Sequence, residues 1–152
     1  MKDYNIVPIT DMNISALQSL ADEALLDGDK FIQKTIDEWK SGVNTFSKPG
    51  EKFWAITVGD EYIACGGLNQ DPYTEDKMMG RVRHVYVLKK YRGLGYSKIL
   101  LRLIMDQAKK HFTSLRLSTY NPIAASLYES LGFEKVDIHK ATHIIRDLTS
   151  IQ

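Results

Sequence analysis

The hydrophobic positions of this chain form short alternating runs and longer runs with helical spacing, separated by glycine, proline and acidic residues. Alternating β-branched and aromatic residues predict strands, and apolar residues three or four positions apart predict amphipathic helices. The predicted order is strand, two helices, three strands, helix, strand, helix and two strands. These elements cover residues 4–9, 14–25, 31–41, 53–58, 62–68, 81–88, 96–111, 115–118, 122–131, 133–138 and 141–148.

The centre of the chain joins a strand at residues 81–88 to a helix at residues 96–111. The next strand, at residues 115–118, follows that helix, and a strand–helix–strand crossover of this length requires parallel pairing. We therefore expect an α+β domain with a mixed sheet and helices on its faces. Gly66 and Gly67 interrupt an earlier strand, which predicts a bulge or a close approach of another segment.

Between the central strand and its helix lies the turn Arg92-Gly93-Leu94-Gly95-Tyr96-Ser97. Its glycines let the backbone approach a ligand closely, and the first helical turn presents unpaired N–H groups at the positive end of the helix dipole. Such a turn favours a phosphate or pyrophosphate, and Arg92, Lys98, Lys89 and Lys90 add positive charge. Taken alone, the turn has a plain connection as its alternative interpretation.

Two common phosphate-binding patterns do not fit this turn. A P-loop needs Lys followed by Ser or Thr directly after its last glycine, where this chain has Tyr96-Ser97. A dinucleotide-binding turn needs a third glycine where Lys98 stands.

Length and composition limit the classes of protein to which this chain can belong. The 152 residues predict a single domain over residues 1–152, and the formal net charge of +1 gives no overall attraction to nucleic acid or membrane. Cys65 is the only cysteine, and the N-terminus lacks an apolar signal core, so we expect a cytoplasmic protein. The four histidines lack ligand spacing, and no metal is expected.

Two motifs together resemble the GCN5-related N-acetyltransferase (GNAT) superfamily. The turn at residues 92–97 is similar to its Arg/Gln-x-x-Gly-x-Gly/Ala turn, with Ser97 at the last small position. The segment at residues 121–133 is similar to its Asn-x-x-Ala-x-x-Leu-Tyr-x-x-x-Gly-Phe segment. The resemblance implies a mostly antiparallel mixed sheet with helices on both faces and a splayed central parallel strand pair.

The resemblance also implies acetyl-CoA as cosubstrate and assigns residues to its parts. Backbone N–H groups of the turn would hold the pyrophosphate, Val85 and Val87 would pair with the pantetheine arm, and Asn121 would contact the same arm. Asn121 is also a helix cap by its position before Pro122. The implied cofactor-binding residues are Val85, Val87, Arg92, Gly93, Leu94, Gly95, Tyr96, Ser97, Lys98 and Asn121.

For catalysis the resemblance makes Tyr128 the general acid that protonates the leaving CoA thiolate, with a core aromatic as the alternative. The general base stays open. His84 lies on the central strand and titrates in a suitable range, but a packed histidine is the alternative. Some family members carry a carboxylate where this chain has Arg81. Asp71, Glu75 and Asp76 lie in the 69–80 loop before that strand, where acceptor sites of the family often lie, and a solvated acidic loop is the favoured alternative.

The expected function is transfer of an acetyl group from acetyl-CoA to a primary amine, with a small molecule as the favoured acceptor. The acidic loop before the central strand favours a cationic amine. A protein amine as acceptor, and a domain that binds CoA without catalysis, remain alternatives. Dimerisation through the C-terminal strands also stays open.

Overall fold

The computed structural model describes residues 3–151, and its elements follow the predicted order. The strands are β1 Asn5–Pro8, β2 Lys52–Val58, β3 Glu61–Gln70, β4 Met79–Val87, β5 Ser114–Leu117, β6 Glu134–Ile138 and β7 Ala141–Ile145. The helices are α1 Gln18–Leu26, α2 Phe31–Ser41, α3 Tyr96–His111 and α4 Pro122–Ser130, with short 3-10 turns at Ile14–Leu17, Lys89–Tyr91 and Leu148–Ser150.

The seven strands form one sheet in the order β1-β2-β3-β4-β5-β7-β6. Every neighbouring pair is antiparallel except β4 and β5, which are parallel, as the crossover through α3 requires. The two parallel strands pair only from Met79 with Ser114 to Arg81 with Arg116. Beyond Arg81, β4 continues to Val87 with none of the described strands paired on that side, so the central pair splays apart as expected.

Helices cover both faces of this sheet. Val85 and Tyr86 are consecutive residues of β4, so their side chains point to opposite faces. The Val85 side chain lies beside the position that a Gly66 Cβ would occupy, next to Ile104 of α3. The Tyr86 hydroxyl donates to Glu23 of α1 at 2.6 Å on the other face.

The irregularity predicted at Gly66 and Gly67 is a β-bulge. Cys65 pairs with Tyr86 and Gly67 pairs with Arg83, so two residues of β4 stand opposite the single residue Gly66. One of those two, His84, has a φ of +51°. Gly67 is required by packing as well, because a Cβ there would lie 2.4 Å from the Phe53 ring.

Three sequence expectations change in detail. The 69–80 loop is shorter than predicted, because β3 runs to Gln70 and β4 begins at Met79, and the Asp71 N–H donates to the Met79 carbonyl at 2.8 Å. In α4, Ile123 is 83% exposed although its spacing matches the apolar positions. β7 lies between β5 and β6, so the C-terminal hairpin joins the sheet through its second strand.

Candidate active site

The turn between β4 and α3 leaves a row of backbone N–H groups without protein partners. Gly93 and Gly95 have φ values of 78° and 92°, left-handed angles that favour glycine. Gly95 is the N-cap of α3 and supplies no side-chain cap. Within residues 3–151, no protein acceptor takes a hydrogen bond from the backbone N–H groups of residues 93–98. This row at a helix N-terminus is suited to an anionic group.

The cations around the turn are arranged differently from the sequence expectation. Lys89 and Lys90 do not extend the positive charge, because their ammonium groups pair with Asp27 at 2.8 Å and with Glu61 at 2.9 Å. Arg92 folds back instead of reaching outward. Its Nε donates to the Val87 carbonyl at 2.9 Å.

Within residues 3–151, Arg92 and Lys98 are therefore the cations of the turn that form no ion pair. The Arg92 guanidinium lies 5.2 Å from the centre of the Tyr86 ring and keeps its charge beside the turn while fixing the end of β4. Lys98 is exposed in the first turn of α3 and forms no ion pair within the described residues.

The edge of β4 that faces the splay carries the backbone groups of Val85 and Val87. The Leu88 N–H donates to Ile63 of β3 at 2.9 Å. Backbone groups alternate between the two neighbours of a strand, so those of Val87 point away from β3. The Val87 carbonyl indeed accepts a hydrogen bond from Arg92, which is not part of β3. An extended chain with amide groups can pair with such an open edge.

The helix α4 carries both Asn121 and Tyr128. The Asn121 side-chain oxygen accepts hydrogen bonds from the N–H groups of Ile123 at 2.9 Å and Ala124 at 3.3 Å, so its capping role is confirmed. Tyr128 is 8% exposed and packs edge-on against Phe133 at 5.6 Å between ring centres. Burial raises the pKa of Tyr128 to about 12, which keeps the phenol protonated near neutral pH.

His84 lies in the bulge of β4, where its neighbours change the basicity of its imidazole. Its ring stacks on Phe31 of α2 with 5.2 Å between centres, and its Nε2 accepts from Arg83 Nε at 3.2 Å. Burial, with the charges of Arg83, Lys34 and Arg81, lowers the pKa of His84 to about 3. The imidazole is therefore neutral near pH 7 but a much weaker base than its residue type suggested, and its role as general base stays a prediction.

The structure contradicts one interpretation of the acidic loop. Asp71 is not a solvated loop residue, because it is buried between two arginines from the splaying strands. Arg116 of β5 donates from Nε to one carboxylate oxygen at 2.6 Å and from Nη2 to the other at 3.2 Å. Arg81 of β4 adds a contact of 3.2 Å. Burial alone would raise the pKa of Asp71, but these arginines and the Tyr73 amide lower it below its ordinary value.

Arg83 is a further buried cation, two residues after Arg81 on β4. The residue is 8% exposed, and within residues 3–151 its Nη1 has no hydrogen-bond partner. In the sequence, these residues are marked only by arginine within predicted strands, at positions 81, 83 and 116. Arginine at inward-facing positions of two neighbouring strands requires buried acids or a ligand to satisfy it.

Comparison with known proteins decides the family. The model of the acetyltransferase (GNAT) family matches residues 15–133, which is most of the chain. This chain belongs to the GNAT family of acetyltransferases. The family match includes both motifs identified in the sequence and the splayed strands between them.

Individual relatives agree with this assignment. The chain is 32% identical over 95 residues to the uncharacterized N-acetyltransferase YjgM of Escherichia coli (strain K12), covering 60% of this chain and 56% of that protein. It is 32% identical over 108 residues to N-acetylaspartate synthetase of Xenopus tropicalis, covering 67% and 37%. These matches thus span about half or less of the curated relatives.

Solved structures share nearly the whole fold. A crystal structure from Exiguobacterium sp. 255-15, described as that of an acetyltransferase, has a TM-score of 0.86 and 27% identity over 97% of this chain and 95% of the other. A GNAT acetyltransferase of Staphylococcus aureus Mu50 has a TM-score of 0.74 at 18% identity, over 96% and 99%. This second likeness shows the fold alone, and both confirm the expected fold class.

Within residues 3–151, no helix is long and apolar enough to cross a bilayer. The same part of the chain contains no group of three or more histidine, cysteine or acidic side chains placed to hold a metal ion.

Proposed function

We propose that this protein transfers the acetyl group of acetyl-CoA to a primary amine of a small molecule. The observation that carries the proposal is the row of unpaired N–H groups at residues 93–98, which follows β4 and its open edge along the chain through the 3-10 turn Lys89–Tyr91. A pyrophosphate on the row and a pantetheine arm along Val85 and Val87 would direct the thioester into the splay between β4 and β5.

The names of the curated relatives support nitrogen as the acceptor atom. Two are called N-acetyltransferases, and the third is called an N-acetylaspartate synthetase. The cytoplasmic location expected from the sequence belongs to the same proposal. The retained phenol of Tyr128 favours catalysis over a domain that only binds CoA.

The proposed reaction needs one proton donor and one proton acceptor. The amine nitrogen forms a bond to the thioester carbonyl carbon, the carbon–sulfur bond breaks, and the electron pair leaves on sulfur. Tyr128 donates its proton to that thiolate, which leaves as CoA thiol. A raised pKa suits this role, because the phenol stays protonated at the pH where the amine reacts.

The amine must lose a proton before or during its attack, because a free primary amine has a pKa of about 10. The low pKa of His84 makes a direct transfer to that imidazole inefficient. We therefore assign proton removal to water and return the proton to Tyr128 through solvent. No carboxylate is assigned this role, since Asp71 is held by Arg116 and Arg81.

Replacement of Tyr128 by phenylalanine tests the proposal. Acetyl-CoA-dependent thiol release and product mass are measured for the wild type, Tyr128→Phe and the control Tyr120→Phe, whose ring is 94% exposed. Loss of the general acid should lower kcat by about 100-fold or more, with unchanged acetyl-CoA affinity. Wild-type protein that releases no thiol with any amine would overturn the catalytic proposal. Equal rates in Tyr128→Phe would remove Tyr128 from it.

A further inference from the structure

The region where β4 and β5 separate contains more buried positive than negative charge. Arg81, Arg83 and Arg116 are each at most 8% exposed, and Asp71 is the buried carboxylate among them. His84 beside them is neutral near pH 7. A buried excess of cations is costly unless an anion from outside compensates it.

Asp71 cannot compensate Arg83, because its hydrogen-bonding capacity is already used. Its two oxygens accept from Arg116 at 2.6 and 3.2 Å, from Arg81 at 3.2 Å and from the Tyr73 N–H at 2.7 Å. Arg116 and Arg81 are in turn anchored to the His139 carbonyl and the Ser118 hydroxyl, both at 3.3 Å. This cluster is complete without a ligand.

Arg83 is different, because its guanidinium is only partly satisfied. Its Nε donates to His84 Nε2 at 3.2 Å, but Nη1 is buried without a partner within residues 3–151. Burial lowers the pKa of Arg83, and Glu38 and Asp71 act on it electrostatically without coming within ion-pair distance. An arginine stays protonated in such a site, so an unmet donor with a full charge remains.

The position of Arg83 links this donor to the proposed acceptor site. Strand pairing between β4 and β5 ends at Arg81 and Arg116, and Arg83 follows Arg81 on the same face of β4. Val85, whose backbone faces the splay, is two residues further along. If the thioester occupies the splay as proposed above, Arg83 is the buried cation of β4 between the last paired residue, Arg81, and Val85.

We propose that the acceptor amine carries a carboxylate, as in an amino acid, and that the Arg83 guanidinium binds this carboxylate. The inference rests on the proposed acetyl transfer and names its substrate class. It replaces the cationic amine that the acidic loop suggested, because Asp71 of that loop is buried in ion pairs.

The same contact helps the chemistry. A carboxylate fits the planar fork of a guanidinium and holds the substrate at one end, which leaves the amine free to approach the thioester. The positive charges of Arg81 and Arg83 also disfavour a nearby ammonium, so the bound amine loses its proton more readily. This compensates for the absence of a strong protein base among the residues assigned above.

The test compares matched pairs of acceptors, each an amino acid beside its carboxamide of nearly equal size. For the wild type we expect kcat/KM to favour the carboxylate member of the best pair by about 30-fold or more. Arg83→Met should reduce this ratio to near one through a higher KM, with unchanged acetyl-CoA affinity. Arg146→Met is the control, since Arg146 forms only an exposed ion pair with Glu134.

Different results of this comparison overturn the carboxylate inference or the proposed acetyl transfer. Equal use of both members of every pair, or transfer only to amines without a carboxylate, overturns the inference and leaves acetyl transfer intact. Acetyl-CoA binding with no transfer to any carboxylate-bearing amine overturns it as well. Failure of the wild type to bind acetyl-CoA overturns the proposed function instead. If Arg83→Met does not fold, the wild-type ratio alone decides.

Discussion

Removal of the Asp71 charge should destabilise the fold strongly, because two buried arginines depend on it. Asp71→Asn keeps the size of the side chain but leaves Arg116 and Arg81 without a carboxylate. Breaking a buried ion pair from one side costs about 3–5 kcal/mol. A domain of this length loses roughly 2–4 °C in Tm for each kcal/mol, so we expect Tm to fall by roughly 10 °C.

The effect has a defined pH dependence. The pKa of Asp71 is lower in the folded protein than its ordinary value, so its contribution is complete above the unfolded-state pKa of about 3.9 and is lost as the pH falls further. Wild type and Asp71→Asn should therefore differ fully at pH 7, and the difference should shrink progressively as the pH falls below about 4.

Thermal and urea unfolding between pH 3 and 8 measure this difference. Asp76→Asn is the matched control, because Asp76 lies in the same loop and is exposed, and it should shift Tm by less than about 2 °C. A Tm loss under 2 °C for Asp71→Asn, or a loss that does not depend on acid pH, would refute the assignment of a buried, charged Asp71.

Three further predictions follow from single residues. Gly95→Glu should abolish acetyl-CoA binding in calorimetric titration, because it places a negative charge beside the unpaired N–H row, at a residue with a φ of 92°. Gly28→Glu is the control and should still bind acetyl-CoA, because Gly28 has a similar φ of 80° but lies in an open turn. The pH profile of kcat should show no loss through Tyr128 ionisation below about pH 11, since burial raises its pKa to about 12; an alkaline limb near pH 10 that disappears in Tyr128→Phe would contradict this. Gly67→Ala should cost about 1–3 kcal/mol in urea unfolding, because its Cβ would lie 2.4 Å from the buried Phe53 ring, and an unchanged midpoint would contradict that packing.

Local signals in the sequence were sufficient for much of the fold. The helix α3 spans Tyr96–His111 as predicted, because Gly95 sets its start and its apolar spacing is regular. The cap at Asn121, followed by Pro122, likewise fixes the start of α4. Parallel pairing of β4 and β5 followed from the length of the crossover.

The buried arginines could not be predicted in the same way. Asp71, Arg81 and Arg116 come from a loop and two strands, and hydropathy alone placed the acid in solvent and gave the arginines no partners. Their contacts depend on strand register, which sequence periodicity does not supply. The altered chemistry of His84 has the same origin, because its stacking on Phe31 and its bond from Arg83 require the bulge in β4.

We propose that the turn at residues 93–98 binds acetyl-CoA, and thermal unfolding of the protein with added ligands detects this binding. Acetyl-CoA, CoA, ATP and NAD are added separately to the purified protein. A ligand at 100 times its Kd stabilises the folded state by about 2.7 kcal/mol, which corresponds to roughly 5–10 °C here. We expect such a shift with acetyl-CoA and CoA alone. No shift with either, or a larger shift with ATP or NAD, would contradict it.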